Sequence, residues 1–252
     1  EIADINLAPK NKNGRVEAIA DVAILRPVDL SKGSGRLFYE VLNRGDKISF
    51  IIMNDAPWHG YYKGLDAANG HLMNEGYTVV WSGWQGDMQS GENRMSLQAP
   101  VVKNVTGTSR DEFIFNHNYD PFVATLSYPA TSLDTDKATL TVRGRQTDLR
   151  VTPDDLKFEF FRADRAGLEP YTNEQIVIHR PAGFDASAIY EFTYEARDPI
   201  VMGLAFATVR DLISFLRNDA EDDAGNANPL LLDGKPATQY TYGLGISQSG
   251  RF

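Results

Sequence analysis

The chain has 252 residues, 42% of them hydrophobic and 23% charged, and a formal net charge of −9; these are the proportions of an ordinary globular protein of one or two domains, long enough to bury a sizeable core. The acidic balance repels phosphate and argues against nucleic acid and anionic membrane as partners, and no apolar stretch approaches the ~20 residues of a membrane helix. The absence of cysteine excludes disulfides, thiolate metal sites and a cysteine nucleophile.

In chain order, the even positions Val16, Ala18, Ala20, Val22 and Ile24 are apolar, with Glu17 and Asp21 between them. That is the alternation of a half-buried strand. After the turn cluster Ser31–Gly35, the run Arg36–Leu42 (RLFYEVL) reads as a buried strand stopped by Asn43-Arg44-Gly45-Asp46. Leu65–Glu75 reads as a short helix. Gly76–Trp81 (GYTVVW) then reads as a central strand that leads into the Gly-rich turn Ser82–Asp87. From about 96 to 196 the pattern changes to short alternating runs separated by turn residues, the signature of an antiparallel β-rich insertion. Asp198-Pro199 is a helix-start signal, followed at helical spacing by Val201, Leu204, Ala205, Val209, Leu212, Ile213 and Leu216. Tyr240–Ile246 is a strand that runs straight into a serine-containing turn.

This order predicts an α/β fold with an open, mostly parallel sheet. Residues 1–95 form the first part of the core, 96–196 a β-rich insertion or cap, and 197–252 the last core helix and strand.

The turn Gly245-Ile246-Ser247-Gln248-Ser249-Gly250 carries the chemistry. A serine nucleophile needs an exposed position and a base; a strand-turn-helix elbow supplies the exposure when residues two before and two after the serine are small. Ser247 meets that condition with Gly245 and Ser249. Ser249 does not, because Arg251 stands two residues after it. Ser247 is therefore the candidate nucleophile.

The segment Gly245–Phe252 (GISQSGRF) resembles the elbow of a family of large bacterial α/β-hydrolase-domain proteins with a G-x-S-Q-S-G-R-F segment. Val41-Leu42-Asn43-Arg44-Gly45, Gly76–Asp87 (GYTVVWSGWQGD) and Met202–Leu216 (MGLAFATVRDLISFL) resemble the same family, in the same order. The elbow is also weakly similar to the G-C-S-R-x-G segment of glucuronoyl esterases. The resemblance implies an α/β-hydrolase-like fold and a serine esterase whose acid and histidine follow the nucleophile. On that expectation the triad is completed beyond Phe252, the remaining C-terminal part of the protein is a partner of this chain, and the chain alone is inactive.

In such a site one oxyanion-hole N–H comes from Gln248 and a second from Arg44 or Gly45, after the RLFYEVL strand; an ordinary strand-ending turn is the alternative reading of Arg44-Gly45. Trp81, Trp84 and Asp87, at the end of a central strand, are candidates for the substrate pocket, with aromatic packing under the insertion as the alternative reading. His59, His71, His117 and His179 each read as surface or packed histidines; outside the family order, His59 in Pro57-Trp58-His59-Gly60 is the one placed to act as a base. Arg210-Asp211 reads as a structural ion pair, and Glu221-Asp222-Asp223 as a solvated loop.

No metal-ligand spacing and no G-x-G-x-x-G or P-loop pattern occurs, so neither a metal nor a nucleotide cofactor is expected. The expected substrate is a small-molecule or carbohydrate-linked ester. A chain opening on Glu1 rather than Met fits loss of a signal peptide or trimming; the expected location is secreted or periplasmic. Asn104-Val105-Thr106 fits a glycosylation sequon. The competing function is a non-catalytic binding or scaffold protein that retains the hydrolase fold. It would contact carbohydrate or protein through Tyr119, Tyr128, Phe158, Phe160, Phe161 and Tyr171 of the insertion.

Overall fold

A computed structural model describes residues 2–57, 66–88, 94–116, 120–162 and 174–252. The chain divides into two compact units, Glu1–Pro100 with Val201–Phe252, and Val101–Ile200.

In the first unit the elements are β1 (Ile19–Ala20), β2 (Val22–Leu25), β3 (Arg36–Val41), α1 (Ser49–Met53), α2 (His71–Asn74), β4 (Thr78–Ser82) and β5 (Leu97–Gln98). The second unit supplies β6 (Thr106–Ile114), β7 (Phe122–Thr125), β8 (Ala138–Arg143), β9 (Lys157–Arg162), β10 (Glu174–His179) and β11 (Ile189–Arg197). The first unit resumes with α3 (Leu204–Asn218), β12 (Leu231–Leu232), β13 (Lys235–Pro236) and β14 (Tyr240–Gly245).

The expected α/β class, with a mostly parallel α/β-hydrolase-like sheet, is overturned. Among the described residues the strands form five small sheets, and seven of the nine strand pairings are antiparallel. Parallel pairing is confined to β14–β3 and β3–β4, within a four-stranded sheet of order β14-β3-β4-β2. Among the described residues only α3, with 15 residues, is a helix of any length; α1 and α2 have five and four.

Local chemistry explains the shortfall of helix. Asp66 and Asn69 accept the N–H groups of Ala68 and His71, and Ala68 and Gly70 take positive φ of 44° and 69°. Side chains that bond nearby backbone compete with helix, so within residues 66–75 of the expected Leu65–Glu75 helix only α2 forms. At the other predicted start, Asp198 has φ +55° and accepts the N–H of Asn104, and α3 begins six residues later. That hydrogen bond, with Lys103 and Arg197 alongside, holds the Asp198 carboxyl below its usual range. The strand read from Val16 to Ile24 is broken at Asp21. Its carboxylate accepts the Ser96 N–H, and its backbone bonds Ser96 and Gly83.

Two apolar layers cover the β14-β3-β4-β2 sheet. On one side Phe38, Leu42, Phe50, Leu72, Val79 and Trp81 pack together; on the other Leu37, Tyr39, Val41 and Val80 meet Val209, Leu216 and Leu230. Alternate residues of β3 and β4 thus enter opposite layers, which is why both strands read as continuous apolar runs.

In the second unit, sheets β6-β11-β8 and β7-β10-β9 share one core built on Phe115, Phe160, Ile176, Ile178, Tyr190 and Phe192. On the far face of β11, the buried Glu191 carboxylate is ringed by Arg110, Arg143 and Arg150. The hydrogen bond from Arg150 is the main cause that holds its carboxyl low. No helix among the described residues is long and apolar enough to cross a membrane.

Candidate active site

β14 ends at a turn that only glycine permits. A Cβ on Gly245 would lie 2.3 Å from the Ser249 carbonyl oxygen and 2.9 Å from the Gly250 Cα, both backbone atoms that cannot yield. Two residues on, Ser247 sits at φ +59°, in the left-handed region. Such a conformation costs a non-glycine residue about 1–3 kcal/mol and persists where the surroundings enforce it. The enforcement is visible in Ser249, which is 1% exposed. Its hydroxyl accepts the Ile246 N–H and donates to the Ile246 carbonyl, both at 2.9 Å. The 3-10 helix Ser247–Arg251 follows at once.

The two serines are thereby separated. The Ser249 hydroxyl is occupied by the turn and shielded from solvent. Ser247 is exposed, and its hydroxyl has no hydrogen-bond partner among the described residues. Gly245→Ala is expected to disrupt the turn and destabilise the protein by about 2–4 kcal/mol, the range of severe backbone and overpacking defects. A urea titration checks this; an unchanged midpoint would mean that the turn relaxes freely.

The loop after β3 lies beside this turn. β3 and β14 pair in parallel register up to Val41 opposite Gly245, and the Asn43 side-chain amide donates to the Ile246 carbonyl at 3.0 Å. Asn43–Asp46 is a tight turn closed by the Asp46 N–H on the Asn43 carbonyl, with φ +52° at Arg44 and +79° at Gly45, the type I′ signature. The Arg44 N–H donates to the buried Gln85 side chain at 2.7 Å. It is therefore already engaged, which corrects its selection as an oxyanion donor. Gly45 is buried, its carbonyl accepts the Met95 N–H, and its own N–H has no partner among the described residues. The Gln248 N–H, in the first turn of the 3-10 helix, is likewise without a partner among the described residues.

Trp81 does not line a pocket. It is wholly buried and donates its indole N–H to Glu40 at 2.7 Å and to the Ser49 hydroxyl at 3.2 Å. Glu40 lies in the middle of β3, 1% exposed, and also accepts the N–H groups of Ile48 (2.5 Å) and Ser49 (2.9 Å). Burial pushes the Glu40 carboxyl up, and the bonds from Ser49, Ile48 and Trp81 pull it back. The pair ties the end of the 43–48 loop to the sheet. Trp84 is half-buried, with its indole N–H on the Leu42 carbonyl at 2.6 Å, and Asp87 is exposed. Composition and motif alone pass over Gln85 and Glu40; the available signal was a charged residue inside an otherwise apolar strand.

His71 is exposed at the start of α2, and His179 stands 3.4 Å from Glu159 and 3.8 Å from Asp120 in the second unit. His59 and His117 lie outside the described residues. Among the described residues no histidine or carboxylate hydrogen-bonds the Ser247 hydroxyl, and no group of three His, Asp or Glu side chains is arranged to hold a metal. Arg210 and Asp211 form an exposed ion pair at 2.7 Å. Asp222 closes its own loop by accepting from Ala224 and Asn226, while Asp223 pairs with Arg15.

The aromatics of the insertion divide as follows. Phe160 is core, Phe158 and Tyr128 pack against it, Phe161 is 41% exposed, and Tyr119 and Tyr171 lie outside the described residues. No family model, curated protein or solved structure matches the chain.

Proposed function

We propose that the protein is a serine ester hydrolase with Ser247 as nucleophile. The observation that carries this reading is the combination at one turn of a left-handed, exposed Ser247, an obligatory Gly245 and a buried Ser249 that braces them. Backbone strain of this kind is worth maintaining where it presents a side chain for chemistry. The reading rests on the turn and is independent of fold class.

In the proposed reaction the Ser247 hydroxyl attacks the ester carbonyl as a base takes its proton. The oxyanion that forms is met by the N–H groups of Gln248 and Gly45, two donors near the turn that have no other partner among the described residues. Preorganised donors of this kind contribute about 3–4 kcal/mol each to transition-state stabilisation. The alkoxide leaves with the proton from the base, and water then hydrolyses the acyl-serine by the reverse sequence. The base and its orienting carboxylate are proposed to follow Ser247 in chain order, as the resemblance of the Gly245–Phe252 segment implies. Of the aromatics on which the binding-module reading relies, Phe160 is buried and Phe158 and Tyr128 pack against the same core, while Phe161 is exposed.

The test is labelling of the full-length protein with a fluorophosphonate, followed by peptide mapping. The expected adduct is on Ser247. An adduct elsewhere, or a folded protein that stays unlabelled, would remove the proposal.

A further inference from the structure

The last rung of the β14–β3 ladder sets Gly245 opposite Val41. Beyond it one chain enters the serine turn and the other the Asn43–Asp46 turn. The Asn43 side chain joins them, its amide donating to the Ile246 carbonyl at 3.0 Å. That carbonyl is already served. The Ser249 hydroxyl reaches it at 2.9 Å and the Ser249 N–H at 3.2 Å, and a carbonyl oxygen has two lone pairs. Satisfying the acceptor therefore does not account for the Asn43 bond. What the bond adds is position. The peptide from Ile246 to Ser247 is planar, so an oxygen held by three donors fixes the plane that carries the Ser247 N–H. From that plane the chain enters Ser247 at φ +59°. The two Ser249 donors are three residues away and move with the turn, whereas Asn43 stands 203 residues off. Its loop has anchors of its own. The buried Gln85 side chain holds the Arg44 N–H at 2.7 Å, the Met95 N–H holds the Gly45 carbonyl at 2.9 Å, and Asp46 lies 3.7 Å from the Arg94 guanidinium. A Cβ on Gly45 would come within 2.7 Å of the Met95 carbonyl oxygen, so the loop sits hard against the chain that anchors it.

We infer that Asn43 is a positioning residue for the serine chemistry. It holds the Ile246–Ser247 peptide in a fixed relation to the loop whose Gly45 N–H is proposed to meet the oxyanion. This inference rests on Ser247 being the nucleophile. Asn43 acts through the backbone on either side of the reaction, on the alignment of nucleophile and oxyanion donor. Misalignment of that kind slows the chemical step and leaves ground-state binding unchanged.

The experiment compares the full-length protein with its Asn43→Ala and Asn43→Asp variants on p-nitrophenyl acetate. Alanine removes the donor; aspartate keeps the shape and turns a carboxylate oxygen toward the Ile246 carbonyl. With KM unchanged, kcat is expected to fall about ten- to a hundredfold in Asn43→Ala, the scale of a misplacement of about 1 Å, and further in Asn43→Asp. The urea midpoint of Asn43→Ala should stay at that of wild type, because the two Ser249 donors still satisfy the Ile246 carbonyl. A kcat unchanged in both variants, or a KM that rises in place of the fall in kcat, overturns the inference. A midpoint that drops in step with kcat does so too, since Asn43 would then brace the fold as a whole. Fluorophosphonate labelling, mapped by mass, separates this role from the nucleophile itself. Variants labelled at Ser247 as fast as wild type defeat the role of Asn43 and leave the nucleophile. A wild-type protein unlabelled at Ser247 defeats the nucleophile and with it the positioning role.

Discussion

In the full-length protein Ser247→Ala is expected to lower kcat/KM for a p-nitrophenyl ester by at least about a thousandfold, the scale of losing a catalytic nucleophile. Alanine keeps the backbone and removes one exposed hydroxyl with no hydrogen bond to another described residue, so the fold should be unaffected. The informative comparison is Ser249→Ala. Its hydroxyl bridges the N–H and carbonyl of Ile246 inside the turn. Deleting it leaves the Ile246 N–H without an acceptor, while the Ile246 carbonyl keeps the Asn43 amide, at about 1–3 kcal/mol of stability, and loosens the brace that holds Ser247 at positive φ. We therefore expect Ser249→Ala to lower the urea midpoint with a smaller loss of rate, and Ser247→Ala to do the reverse. Steady-state kinetics and denaturation of the two variants decide the matter; equal rate losses, or a greater loss at Ser249, would contradict the assignment.

The second large effect is on stability. Glu40→Ala should destabilise the protein by about 3–5 kcal/mol, because it leaves the N–H donors of Ile48 and Ser49 without an acceptor in a dry core, leaves Trp81 only its longer bond to the Ser49 hydroxyl, and opens a cavity. Glu40→Gln should lose less: the amide oxygen can serve the two donors now on one carboxylate oxygen, while its NH₂ faces the third. Burial raises the Glu40 carboxyl above its ordinary value of 4.5. A raised acid binds its proton more tightly folded than unfolded, so its stabilisation is complete below pH 4.5 and is lost as pH rises through the folded value. The stability gap between wild type and Glu40→Gln should accordingly narrow as pH rises from 4. A gap that widens would show that the three donors outweigh burial.

Legibility in the sequence tracks the range of the forces involved. β3 and β4 can be read because both their faces are buried and each carries apolar residues on adjacent positions, Leu37–Tyr39 and Val79–Trp81. The Gly245–Ser249 turn can be read because its constraint is steric and spans five residues. The fold class fails because strand direction is not local. β4 accepts β3 in parallel and β2 antiparallel, and nothing in the run TVVWS distinguishes the two partners. The helix start at Asp198 fails for a related reason, since its carboxylate is drawn to an N–H 94 residues away. The misreading of Trp81 and Arg44 has the same origin. Their polar partners, Glu40 and Gln85, each stand 41 residues off in sequence, so core tryptophan and pocket tryptophan look alike on paper.

The way the insertion is tethered bears on how the chain assembles. Val101 and Ile200 pair at the base of the second unit, and in the first unit the Val201 N–H meets the Pro100 carbonyl. The second unit is thus one uninterrupted stretch whose ends meet. The first is split, and its β14 must find β3 about two hundred residues back along the chain. Closing so long a loop is slow, and non-local pairing sets the pace of folding. Once the hundred-residue cassette has condensed, however, it brings positions 100 and 201 together and shortens the search for β14 by that amount. The insertion would then serve as an internal folding clamp, and Ser247 would gain its geometry last.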